Sequence, residues 1–465
     1  MKKAFRLLEE KLTASQIIMF GFLFVIAAGT IVLMMPFCSV DRNMTSWVDA
    51  LFTATTSTCV TGLVTVSTYG HWSLAGKAVI LVLIQIGGLG FMTCFTVMLM
   101  AFGKRVTLRE RMVIQDSLNE TGLTGMVRLV RRIIKGTVCV EGVGALLYIV
   151  YLVPEYGVKG IFYSVFTSVS AFCNAGMDLF GDTSLVPYVH NYYFNFVTMV
   201  LIILGGLGYT VWWDLLDNLK KVKTINRLKR SPWSVFRKGL SLHTKIVLVT
   251  TIVLIVLGWI IIFLAEYNNE ATMARFSLPQ KLMASLFQSV TTRTAGFQTI
   301  PQENFTISSQ LTSVILMFIG GSSAGTAGGV KTTTIAVIVL MVLSAIKGKE
   351  HTEVFGRTIP TNTIRKAFTL STISAVIVVG ATMLLSALQP TERAMQLLFE
   401  TVSALATVGL SQGLTASLTI SAKLLIIVMM FIGRIGPMTM AFAIGTRLKA
   451  AKGNIKYPDE NVLVG

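Results

Sequence analysis

The sequence predicts an all-α polytopic membrane protein. Eight transmembrane helices and four re-entrant pore loops would form four span–pore helix–span repeats, set in pseudo-fourfold fashion around one pore. Three observations lead there. Only 13% of the 465 residues are charged and 53% are hydrophobic, whereas soluble domains carry about 25% charged residues. Eight apolar runs have roughly the 20-residue length that crosses a bilayer as a helix. A short motif ending in glycine recurs four times at near-constant spacing.

The runs fall at 16–38, 78–101, 134–153, 192–213, 244–265, 313–343, 367–388 and 421–444, the sixth interrupted by glycines. Alternate connecting segments hold 30 of the 40 Lys and Arg residues: 1–15, 103–135, 217–245, 345–366 and 445–465. Eight more lie in the other set of connections, and Lys331 and Arg434 lie within spans. The positive-inside rule therefore places both termini in the cytoplasm. The net charge of +18 reflects orientation in a membrane, which excludes a nucleic-acid footprint. Cys38, Cys59, Cys94, Cys139 and Cys173 form no CxxC pair, and the four histidines form no HExxH. Neither a zinc nor a redox site is expected. The basic start "MKKAFRLLEEKLTASQ" lacks a cleavage signal, so no removable leader is read.

The outer segments carry the repeat: "LFTATTSTCVTGL", "VFTSVSAFCNAGM", "LFQSVTTRTAGF" and "LFETVSALATVGL". Their glycines, Gly62, Gly176, Gly296 and Gly409, stand 114, 120 and 113 residues apart. Internal periodicity of this kind marks an architecture built from copies of one unit. The following spans repeat as well, as "QIGGLGF", "ILGGLGY", "FIGGSSAG" and "FIGRIGP". The units divide at 1–102, 103–216, 217–344 and 345–444, with a cytoplasmic tail over 445–465.

Stretches of about ten residues are too short to span a membrane and suit re-entrant segments. Irregular backbone at membrane depth must be buried in protein or line a wet cavity. Four such units around an axis make a pore whose strands offer carbonyl oxygens in place of a cation's water shell. The predicted filter is Thr58, Cys59, Val60, Thr61 and Gly62; Phe172, Cys173, Asn174, Ala175 and Gly176; Thr292, Arg293, Thr294, Ala295 and Gly296; and Leu405, Ala406, Thr407, Val408 and Gly409. Short helices starting near Ser46, Gly160, Leu278 and Arg393 would aim their negative C-terminal ends at the cavity below.

These motifs resemble the Trk/Ktr/HKT superfamily of potassium transporters, and most closely its KtrB-type membrane subunits. The resemblance covers nearly the whole chain. It rests on the four filter glycines, "SVTTRTAGF", "FIGRIGPMT" and the ending "YPDENVLVG". It implies potassium uptake through a gated, channel-like pore in the plasma membrane, in a homodimer with one pore per subunit. It also implies a cytosolic KtrA-type ring that binds nucleotide, while this subunit holds no cofactor of its own. Na+ as an activator is one option beside a nucleotide or a cyclic dinucleotide acting through the ring, and the sequence does not choose among them. Segments 103–135 and 217–245 would form the docking face for the ring, and the ending would lie at the dimer interface. Relatives that prefer sodium often carry serine in place of the first filter glycine; Gly62 favours potassium. A sodium-selective or Na+/K+ symporting member of the same fold is the alternative.

Charges within spans call for partners, because ionised groups are costly there. Arg434 cannot shed its charge and would act as a barrier or as a donor clamp for a facing loop. The resemblance places the matching arginine beneath the filter, against the third repeat's intramembrane loop. Arg293, with its carbonyl at the pore, should turn its side chain into the wall, where Glu400 is the expected partner. An arginine bound only to backbone and water is the other reading. Asp178 would gather cations at the mouth or be an ordinary solvated carboxylate. Glu141, near the cytoplasmic end of its span, would pair with a loop Lys or Arg or assist ion passage.

The stretch "GGSSAGTAGGVKTTT" admits three readings. From Gly325 it nearly matches GxxxxGK[ST], the phosphate loop of an ATPase or phosphotransferase, but Val330 replaces the second glycine. Gly321, Gly325 and Gly329 have small-xxx-small spacing, which suits close helix contact. Residues 313–343 would make a helix of about 46 Å, well beyond the ~30 Å of hydrocarbon, so a break in the span is the favoured reading. The predicted gate is Gly320, Gly321, Ser322, Ser323, Ala324, Gly325, Thr326, Ala327, Gly328, Gly329 and Lys331, with Arg434. No catalytic residue is expected.

Overall fold

The computed structural model describes residues 12–101, 106–118, 125–225 and 232–445. The ending "YPDENVLVG" lies outside them, as do parts of the two basic segments. The chain is helical, with one two-stranded hairpin among the described residues. The first unit holds α1 (Ala14–Leu33), α2 (Trp47–Cys59), α3 (Leu74–Leu89) and α4 (Phe91–Ala101), followed by the connecting α5 (Leu108–Leu118). The second holds α6 (Met126–Tyr156), α7 (Lys159–Cys173), α8 (Tyr192–Leu207) and α9 (Tyr209–Ile225), followed by α10 (Pro232–Gly239). The third holds α11 (Leu242–Glu266), α12 (Leu278–Thr291), α13 (Ile307–Phe318) and α14 (Thr332–Ile346). The hairpin β1 (Glu353–Val354) and β2 (Arg357–Thr358) leads to the fourth: α15 (Thr361–Leu388), α16 (Ala394–Ala406), α17 (Ile420–Ile435) and α18 (Pro437–Gly445).

Each unit thus repeats a long helix, a short helix and a broken helix. Side-chain caps fix where many of them start. Thr13 and Gln16 form a capping box at the head of α1. Asn191, Ser241 and Thr419 cap α8, α11 and α17 by accepting a backbone N–H, which satisfies donors a helix end otherwise leaves bare.

Burial sorts the helices inversely to a soluble protein. The long helices expose large apolar side chains: Phe24 on α1 is 71% exposed, Val150 on α6 70%, Leu264 on α11 68% and Met383 on α15 68%. Such surfaces match lipid. The short helices, rich in Ser and Thr, are buried over most of their length. The polar core sits inside an apolar jacket. Lys423 on α17 pairs with Asp49 in the first turn of α2 at 2.8 Å, tying the fourth unit to the first.

The spans expected at 78–101, 192–213 and 421–444 are not continuous helices. α3 and α4 meet at 99°, and α8 and α9 at 95°. Gly90, Gly208 and Gly436 stand at the breaks with φ of +83°, +89° and +94°, a left-handed conformation that ends a helix and that glycine adopts without strain. The interruption expected in the third unit alone therefore occurs in all four. Among the described residues, four helices are long and apolar enough to cross a membrane alone, and up to six if each bent pair counts as one span.

Candidate ion pore

Each short helix ends in one motif. The residue two before the glycine is left-handed in all four units: Val60, Asn174, Thr294 and Thr407, with φ between +51° and +66°. The glycines follow at +97°, +63°, +83° and +91°. A methyl group on Gly62 would strike the Ala175 carbonyl, and one on Gly176 the Ala295 carbonyl. One on Gly296 would strike the Val408 carbonyl, and one on Gly409 the Thr61 carbonyl. The contacts close in the order one, two, three, four, one. The result is a ring of backbone with a carbonyl seated against each glycine.

The ring is shorter than the expected filter. Thr58, Cys59, Phe172, Cys173, Leu405 and Ala406 are helical, and Thr292 is the helical C-cap of α12. The carbonyls of Thr58, Phe172 and Leu405 rest against Gly87, Gly205 and Gly433 of the following helices. Helix continues because the left-handed turn comes only at Val60, Asn174, Thr294 and Thr407. Behind the ring lie four hydroxyl residues that sequence reasoning missed: Thr56, Ser170, Thr291 and Ser403, each fully buried. Their common placement five or six residues before each glycine was the signal available in the aligned repeats.

All four ring glycines open onto one vestibule of 480 Å³. Asp178, Asp182 and Glu303 are among its lining residues, which include no Lys or Arg. Asp178 is neither solvated nor free. It accepts from the Ser184 hydroxyl at 2.6 Å and the Phe180 N–H at 3.2 Å. Burial pushes its carboxyl up to about 6, against the opposing effect of those two bonds.

On the other side of the ring lies the segment 320–331. Its neck is closed by Gly320 N–H to Val330 O at 2.9 Å, Val330 N–H to Phe318 O at 3.2 Å and Thr332 N–H to Gly321 O at 3.0 Å. It docks on the second unit through Ser322 N–H to Gly206 O at 2.9 Å and Tyr209 N–H to Ala324 O at 2.8 Å. The Thr326 hydroxyl donates to Phe172 O at 3.1 Å, and Gly328 abuts Thr407 and the Ala406 carbonyl of the fourth unit. Lys331 donates to Ala327 O at 2.6 Å.

Arg434 donates to Thr326 O at 2.5 Å and to Gly87 O. Those acceptors belong to units three and one, which are opposite in the ring. A side chain from unit four that bonds both lies close to the axis.

Two expected pairings do not form. Arg293 reaches Thr251 on α11, at 3.3 Å to the carbonyl and 3.5 Å to the hydroxyl. Glu400 accepts instead from Ser411 at 2.8 Å and from Thr415. Each group finds hydroxyl or backbone partners nearer than the other's charge, which corrects the Arg293–Glu400 expectation. Glu141 lies in the middle of α6 and not near its end. It accepts from Gln85 at 3.1 Å, beside the Cys173 thiol at 3.6 Å, and has no Lys or Arg partner among the described residues.

Comparisons with known proteins show the family to which the chain belongs. A family model described as TrkH, cation transport protein, matches residues 10–451. The Ktr system potassium uptake protein B of Bacillus subtilis (strain 168) is 40% identical over 458 residues, covering 98% of this chain and 97% of that one. The potassium/sodium uptake protein NtpJ of Enterococcus hirae is 38% identical over 469 residues, covering 100% and 99%. The crystal structure of the potassium transporter TrkH from Vibrio parahaemolyticus matches with a TM-score of 0.73 at 18% identity, over 95% of this chain and 86% of that one; at that identity the likeness speaks for the fold. The chain is a multi-pass membrane protein and belongs to the TrkH cation transport family, a family of transporters and not of enzymes.

Proposed function

We propose that this chain is the pore-forming membrane subunit of a potassium uptake system. The closed ring of four glycines, each with a neighbouring carbonyl against it, carries the reading. A ring of carbonyls can replace the hydration shell of a dehydrated cation. A cation gathers in the acidic vestibule, sheds water to the ring and passes toward the negative ends of α2, α7, α12 and α16. Transport then follows the electrochemical gradient. The relatives named as potassium uptake proteins support potassium as the substrate.

In this reading the four units form eight spans around one pore, divided at the boundaries predicted from sequence. The segment Gly320–Gly329, latched by Arg434 and Lys331, is the gate. The subunit sits in the plasma membrane with both termini cytoplasmic, forms a homodimer and works with a KtrA-type nucleotide-binding ring. The name of the Enterococcus relative, potassium/sodium uptake protein, favours sodium as a second substrate or as an activator.

Potassium uptake in a transporter-deficient bacterium tests the proposal. Cells carrying the chain with a KtrA-type partner should grow at low potassium, and cells carrying the chain alone should grow less well. No rescue with either arrangement would refute the function. Equal rescue with and without the partner would refute regulation by the ring.

A further inference from the structure

The four hydroxyls behind the ring do not all make the same bond. In units one and four the hydroxyl accepts from the glycine itself: Gly62 N–H to Thr56 at 3.0 Å and Gly409 N–H to Ser403 at 3.1 Å. In units two and three it donates to the residue after the glycine: Ser170 to Met177 O and Thr291 to Phe297 O, both at 2.6 Å. Ser170 also accepts from Met177 N–H at 3.1 Å. The ring is therefore split into two adjacent halves, four with one and two with three.

The geometry of a trans peptide gives these bonds a consequence. N–H and C=O of one peptide unit point in opposite directions. Anchoring the Gly62 N–H in the wall turns the Thr61 carbonyl away from the wall. The Gly409 N–H does the same for Val408. These are two of the four carbonyls seated in the ring. In the other half the bond acts on a carbonyl directly. The carbonyls of Met177 and Phe297 are held in the wall and withheld from any ion. All four hydroxyl residues are completely buried, so water does not compete for them.

We infer that Thr56 and Ser403 are positioning residues that hold the Thr61 and Val408 carbonyls on the pore axis. Ser170 and Thr291 end the filter on the opposite half by turning the next carbonyl aside. Selectivity is then set from behind the filter, by side chains that touch no ion. The inference rests on the ring being the filter, and its test separates the two claims.

The test uses the full chain in liposomes, with reversal potentials measured in mixed KCl and NaCl. Thr56→Val keeps the shape and removes the acceptor; Ser403→Ala removes one oxygen. Each should lower the potassium-over-sodium permeability ratio by about tenfold, the equivalent of one neutral hydrogen bond. Thr56→Ser and Ser403→Thr keep the hydroxyl and should keep the ratio. A second readout is the rise in melting temperature on adding KCl, since an ion bound only by the folded state stabilises it. That rise should shrink in Thr56→Val and Ser403→Ala and persist in the hydroxyl-keeping variants. A selective parent chain with equally selective Thr56→Val and Ser403→Ala would overturn the inference and leave the filter standing. A parent chain without cation selectivity would overturn both. If Thr56→Val is not recovered as folded protein, Ser403→Ala decides alone.

Discussion

Replacing Arg434 by alanine removes the link between the segment 320–331 and the first unit. The guanidinium donates to Thr326 O and Gly87 O, which lie in opposite quadrants. Hydrogen bonds to charged groups contribute about 1.5–3 kcal/mol each. Water in the cavity replaces part of this, so one bond's worth is the appropriate figure. At about 1.4 kcal/mol per factor of ten, the closed-to-open ratio should fall by about 10- to 150-fold. Removing the charge also lowers the barrier to a cation below the ring, which acts in the same direction. The assay is 86Rb+ uptake into liposomes holding equal amounts of folded protein. Arg434→Ala should raise the rate about tenfold or more. Arg434→Lys, which keeps the charge with a less extended donor set, should fall between alanine and the parent. A rate for Arg434→Ala equal to the parent would refute the latch.

Deleting Gly321–Gly328 takes out most of the same segment and should also raise Rb+ uptake; an unchanged rate would mean that the segment does not obstruct the pore. Gly296→Ala places a methyl group on the Val408 carbonyl at a φ of +83°, so potassium selectivity in mixed salts should collapse even where folded protein is recovered. The Asp178 carboxyl, held near 6, is charged above that value and neutral below it. Uptake at low potassium should therefore decline as external pH falls through about 6, and Asp178→Asn should flatten that part of the profile. The same decline in Asp178→Asn would assign the titration to another group.

The fourfold plan is legible in the sequence because the ring has no room for a side chain at four places. That demand writes Gly62, Gly176, Gly296 and Gly409 at a regular interval. The apolar jacket is legible because lipid contact requires long runs without charge. The breaks at Gly90, Gly208 and Gly436 are not, since "QIGGLGF" is equally apolar on both sides of the turn. Nor is the partner of Arg293. Pairing it with Glu400 considers charge alone, whereas Thr251, Ser411 and Thr415 satisfy the two groups locally. Thr56, Ser170, Thr291 and Ser403 escape notice for a related reason. Hydroxyls are common in these buried helices; aligning the repeats on their glycines singles out these four positions, and the fold adds that they bond behind the ring.

The reversal potential of the purified chain in a planar bilayer, with potassium and sodium gradients opposed, tests the central claim most directly. A backbone ring that takes dehydrated potassium predicts a reversal potential close to the potassium equilibrium potential. A potential that tracks sodium alone, or no cation current from folded protein with Gly321–Gly328 deleted, would contradict it.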